Sequence, residues 1–165
     1  MPDMTAAADW LAATGPSIQL QATTWSVPLT QTVHILAIAA LLTCIAMLNA
    51  RLAGLIGRDE ILADAVYRFG RPLPWALAVL FASGVILVLA EPHREFENQL
   101  FWIKMALVAA SAVLTFIGFR WVAGRRFDDL SRAERGRLIV FAAVSTFLWL
   151  AIAVCGRWIA YVDVL

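Results

Sequence analysis

Three side chains in an otherwise apolar chain could do chemistry: His34, Lys104 and Arg157. A charged group at the centre of a lipid-spanning helix costs about 2.5 to 3.5 kcal/mol on insertion scales, so each needs a reason to be there. At about 1.5 Å per helical residue, His34 lies about 9 Å past Pro28, Lys104 about 7 Å past Gln99 and Arg157 about 9 Å before Asp163. The three share one depth on three different segments. A lone imidazole at that depth can ligate haem iron or another metal, carry a proton, or hydrogen-bond a quinone. The two cations suit the carboxylates of a haem. Haem b or a quinone is therefore the expected cofactor, held by His34, Lys104 and Arg157 in electron transfer.

Plainer roles stand beside these. Lys and Arg stems reach headgroups from such a depth, and Trp102, Trp158 and Tyr161 mark an aromatic belt next to them. His34 can also be a core histidine bonded to a neighbouring helix. The second histidine, His93, follows Glu91-Pro92 in a loop, about 9 Å too shallow to share a haem with His34 unless that loop folds inward. His34 from each of two chains would supply a pair, or a non-histidine group the second ligand. The alternative is a non-catalytic membrane subunit or transport component handling copper, with His34 and His93 as metal ligands and Cys155 near the depth of His34. Methionine clustering of the kind copper handling favours is missing, since Met47 and Met105 are scattered. No nucleophile motif, phosphate loop, HExxH or CxxC occurs, and no independent catalytic activity is expected.

The elements that position these residues follow from composition. Of 165 residues, 62% are apolar and 15% charged, a balance that excludes a small soluble domain. With a formal net charge of +1 and no basic face, nucleic acid is excluded as a partner. Four apolar runs, 28–48, 72–90, 100–119 and 138–158, are each long enough to cross a hydrocarbon core of about 30 Å. They lack period-2 alternation, so they are helices and not barrel strands. The expected fold is an all-α integral membrane four-helix bundle over 28–162, preceded by an interfacial segment over 1–27. Within that segment, two short pieces broken at Gly15-Pro16 lie on the outer leaflet.

Of the 13 basic residues, Arg51, Arg58, Arg68 and Arg71 fall in the first connection, and Arg120, Arg125, Arg126, Arg132, Arg135 and Arg137 in the third. Those connections face the cytoplasm, and both termini and the acidic loop 91–99 lie outside. Leu52, Leu55, Ile56, Leu62, Val66 and Phe69 at near-helical spacing predict an amphipathic surface helix over 52–69 in the first connection. Ser131 and Glu134 form a capping box that starts the fourth helix before its apolar run. Cys44 and Cys155 sit at different depths, which argues against a disulfide. A weak repeat at an offset of 69 pairs Arg51 with Arg120 and Arg68 with Arg137, as two parallel hairpins would.

The succession Trp25 to Pro28, His34, the run Asn49-Ala50-Arg51-Leu52-Ala53-Gly54, Pro72, Pro74, Gly84, the run from Asn98 to Lys104, and Gly156-Arg157 resembles an uncharacterised bacterial family of four-helix membrane proteins. The similarity covers 25–160. It implies the fold and the matched positions His34, Lys104 and Arg157. The expected setting, with the orientation that the arginines give, is a bacterial inner membrane with periplasmic termini, as a homo- or hetero-oligomer among lipids. It supplies no activity. Where that family often carries an acidic residue three positions before the histidine, this chain has Gln31. Likeness to copper-resistance membrane proteins and haem-binding four-helix cytochromes is topological alone.

The charge asymmetry generates the first prediction. In a variant with Cys44 and Cys155 replaced by alanine, a cysteine at Arg94 should react with an impermeant thiol reagent applied to intact cells, and one at Arg126 should not. The reverse pattern would invert the orientation.

Overall fold

A computed structural model describes residues 4–57, 61–122, 125, 129–159 and 161. Eight helices follow in order: α1 Thr5–Ala12, α2 Gly15–Ala22, α3 Ser26–Leu52, α4 Leu62–Gly70, α5 Leu73–Ala90, α6 Pro92–Phe96, α7 Gln99–Val122 and α8 Arg132–Trp158. Four stretches are long and apolar enough to cross a membrane: Ser26–Leu52, Asp64–Ala90, Gln99–Val122 and Arg132–Trp158. The second takes in most of α4 with α5, which only Arg71 and Pro72 separate. The chain is a multi-pass, all-helical membrane protein.

α3 is the hub of the bundle, packed on α5 along one side and α8 along the other, with α7 against α8. Among the described residues α5 and α7 do not approach each other closely, so the ring of four is open on that side. Two polar side chains of α3 fasten the hub. His34 Nδ1 lies 2.7 Å from Ser83 Oγ on α5, and Asn49 Nδ2 donates to Ser145 Oγ at 3.2 Å and Thr146 Oγ1 at 2.9 Å on α8. α7 meets α8 where Gly118 gives the Phe141 ring room that any Cβ would take. Apolar packing between helices in lipid gains little over packing on lipid, so small residues and interhelical hydrogen bonds decide such contacts.

The helix ends explain where the expected boundaries shift. α3 runs on to Leu52 and is closed by Gly54 at φ 70°, with Leu55 N bonded to Ala50 O at 2.9 Å and Gly54 N to Arg51 O at 3.0 Å. That is a Schellman closure, for which a left-handed glycine is the natural residue. It corrects the first half of the amphipathic helix expected over 52–69: Leu52 ends α3, Leu55 and Ile56 lie in the turn, and among the described residues beyond that turn the helix, α4, starts at Leu62. Residues 58–60, including Arg58, fall outside the described residues, as do Arg126 and 162–165. The Ser131–Glu134 capping box is present and starts α8 at Arg132, well before its apolar run.

At one end of the bundle, Leu62 N bonds Arg125 O at 3.0 Å, tying α4 to the α7–α8 connection over a core of Leu52, Val122, Leu130 and Leu138. At the other end α1 packs on α6 and α2 on α5. The expected two short pieces are thus helices, with Pro16 in the first turn of α2, and they cap the bundle instead of lying apart from it. Ser17, fully buried, donates to Leu89 O at 2.6 Å and pins that cap.

These contacts set the cost of disturbing the bundle. Gly118→Leu should destabilise it by about 1 to 3 kcal/mol through overpacking. Asn49→Ala should cost about 0.6 kcal/mol, a typical interhelical bond in lipid. Unfolding in mixed micelles of mild detergent and SDS measures both, and an unshifted midpoint for Gly118→Leu would refute the tight α7–α8 crossing.

Candidate functional site

The His34 site is built between α3 and α5, below the α6 cap. His34 is half-buried on α3 and bonded to Ser83. Ser83 is buried, and its hydroxyl donates to Val79 O at 2.6 Å, with Leu80 O at 3.3 Å. A hydroxyl has a single proton. With that proton committed to the helix backbone, Ser83 accepts from His34, so Nδ1 carries the hydrogen and Nε2 keeps its lone pair. An Nδ1–H fixed by a hydrogen-bond acceptor, with Nε2 left free, is the arrangement of histidines that ligate metals. Gly84 follows Ser83, and a Cβ there would stand 3.8 Å from His34 Cε1, so the glycine keeps space beside the ring.

Lys104, on the first turns of α7, interacts electrostatically with His34 and with Glu95 of α6 and Cys155 of α8. Its stem passes over Gly156 of α8, where a Cβ would lie 3.8 Å from Cδ, and its Nζ sits 5.1 Å from the centre of the Phe101 ring. Glu95 is buried, with Arg94 Nη2 3.6 Å from Oε1. A cation, a buried carboxylate and a half-buried imidazole thus share one region under the cap.

Of the residues named from sequence, His34 and Lys104 are brought together. Arg157 follows Gly156, and because successive helical residues diverge by about 100° it points aside. It is exposed, donates to Tyr161 Oη, and lies over that ring at 4.8 Å. His93, on α6, has Nδ1 2.9 Å from Glu97 Oε1 and Nε2 3.6 Å from Asp9 Oδ1. Both of its ring nitrogens are engaged in the cap, apart from the His34–Ser83 pair. Among the described residues no three His, Cys, Asp or Glu side chains gather as a metal-ligand set, and Cys44 and Cys155 are free thiols.

Sequence reasoning missed Ser83 and Glu95. Ser83 had a signal: a serine before a glycine at mid-span, at the depth of His34 once the helices are set antiparallel. Glu95 had none, because its burial depends on α6 folding onto α1.

Fold and site together define a four-helix, multi-pass membrane protein with a polar cluster under one end. The chain belongs to a family of unknown function, DUF6644, whose model matches residues 20–162. No curated protein and no solved structure matches the chain.

The site's geometry predicts the tautomer. ¹⁵N spectra of histidine-labelled protein should show the His34 signal, identified by its loss in His34→Gln, with Nδ1 protonated and Nε2 bare. Ser83→Ala should turn it into a tautomer mixture. An Nε2-protonated His34 in the unsubstituted protein would refute the anchoring.

Proposed function

We propose that this protein carries a redox cofactor for electron transfer in the membrane, with haem b as the group and His34 as its axial ligand. The observation behind this reading is the imidazole's posture: Nδ1–H is held by Ser83 and the Nε2 lone pair is free. Iron takes a lone pair, whereas a quinone carbonyl asks for a donor. Bound haem would supply one-electron chemistry. The chain's part is to orient the ligand through Ser83, to keep room beside the ring through Gly84, and to offer the Lys104 ammonium to a carboxylate. Arg157, on its flexible stem at the same end, is a second candidate for that contact.

A sixth ligand is not provided by His93, whose nitrogens serve the cap. The half-buried setting of His34 favours a second copy of the chain, giving a bis-histidine haem across a homodimer. The excess of arginine in the first and third connections supports an orientation with the α6 end, and with it the site and both termini, on the outer face of a bacterial inner membrane. Copper on His34 has less support, since among the described residues no three-group set of His, Cys, Asp or Glu forms.

Protein purified from a host supplied with haem should show a Soret band. His34→Ala should abolish it, while Lys104→Ala should only shift or weaken it, because a ligand and a carboxylate contact contribute differently. Colourless protein, or a Soret band unchanged in His34→Ala, would overturn the reading and leave a non-catalytic subunit or transport component.

A further inference from the structure

The open side of the bundle, between α5 and α7, holds a cleft of about 400 Å³ toward the α4 end, within the range of small-molecule sites. Leu41 and Ile45 of α3, Leu77 of α5, and Ala112 and Phe116 of α7 line it, and Trp149 of α8 forms part of its wall. Two buried polar atoms in this lining have no hydrogen-bond partner. Trp149 is 4% exposed, and its Nε1 has no hydrogen-bond partner. Thr115 Oγ1, on α7, is likewise buried without one.

Thr115 departs from the habit of the other threonines. In the apolar helices a threonine hydroxyl returns to the carbonyl four residues back, as Thr30, Thr32, Thr43 and Thr146 do at 2.7 to 2.8 Å. That bond spares the hydroxyl from facing hydrocarbon unpaired. Thr115 forgoes it, and it lines the same cleft as an indole N–H that can only donate. An unpaired polar group in hydrocarbon is costly, and two lining one cleft mark a place for an acceptor.

We propose that the cleft between α5 and α7 binds a membrane-dissolved quinone, whose ring carbonyls accept from Trp149 Nε1 and Thr115 Oγ1. Depth selects the ligand class. Trp149 lies nine residues, about 14 Å, from the α8 end at Trp158, and Thr115 seven residues, about 10 Å, from the α7 end at Val122. Acyl chains offer no acceptor that far from the interface, since lipid ester carbonyls sit near the headgroups. A quinone is apolar, neutral and carries carbonyls on its ring. Arg71, the charged residue of the lining, stands exposed at its edge with its guanidinium on Tyr67, 3.0 Å from the hydroxyl, and leaves the buried wall without charge. The gap between α5 and α7 gives entry from lipid without passage through water. This site is separate from the His34 cluster and does not rest on the haem reading.

The experiment is photolabelling of the full-length protein in native membranes with an azido-substituted benzoquinone bearing a short alkyl tail. Peptides covering Leu73–Leu77 or Ala112–Phe116 should be labelled, and excess decyl-benzoquinone should displace the label. Trp149→Phe and Thr115→Val should each weaken competition by about tenfold, the scale of one lost hydrogen bond. Thr115→Ser, which restores a hydroxyl, should recover it and so separates binding from folding. His34→Ala should leave the labelling intact while acting on any Soret band. Label that is absent, not displaced, confined to peptides around His34, or indifferent to Trp149→Phe with Thr115→Val combined would overturn the site and leave its two polar atoms to water.

Discussion

In lipid a helix gains almost nothing by exchanging hydrocarbon neighbours for leucines, so this bundle depends on the polar bonds that α3 makes to its neighbours. His34 reaches α5 near one end of α3, and Asn49 reaches α8 near the other. Each bond removes a polar group from hydrocarbon and sets the rotation of α3 about its axis. With that rotation set, Leu41, Ile45 and Leu48 face Leu73 and Trp149, and Arg51 is drawn into the buried end of the helix. The Schellman closure at Gly54 then turns the chain back at a defined height, so that α4 can meet the α7–α8 connection.

The same rotation divides the polar residues into those the protein uses internally and those it leaves with capacity to spare. Asn49, Ser17 and Ser83 find protein partners. His34 keeps one nitrogen unengaged, and Trp149 and Thr115 keep a polar atom each. Opposite capacities are left at the two depths. Near the α6 end a lone pair remains beside a cation, which suits a group that accepts electron density and carries carboxylates. Near the middle two donors remain in a buried, largely apolar wall, which suits a neutral molecule with carbonyls.

The absence of a close approach between α5 and α7 links these depths. A four-helix ring closed on all sides would have buried Thr115 and Trp149 against each other or against α5, at the usual cost of unpaired polar groups. Leaving one seam open to lipid gives membrane-dissolved molecules a lateral route, while the cap of α1, α2 and α6 covers the end where Lys104 and Glu95 lie.

Much of this was legible in the residues themselves. The four spans, the break at Gly15-Pro16 and the helix start at Ser131 follow from hydropathy and capping chemistry, because these are properties of one segment and the lipid around it. The helix expected over 52–69 is found in its second half, as α4, and is interrupted in its first on local grounds that periodicity ignores: Gly54 at positive φ ends α3 whatever the pattern of leucines beyond it. What no single segment determines is which face of each helix meets another. Depth put Arg157 with His34, but the packing of Gly156 on Lys104 turned it toward Tyr161. Depth likewise could not tell that Ser83 would anchor the imidazole, that Glu95 would be buried, or that Thr115 and Trp149 would share a cleft. Those outcomes depend on helix rotation, which interhelical contacts set, and so they belong to the tertiary structure alone.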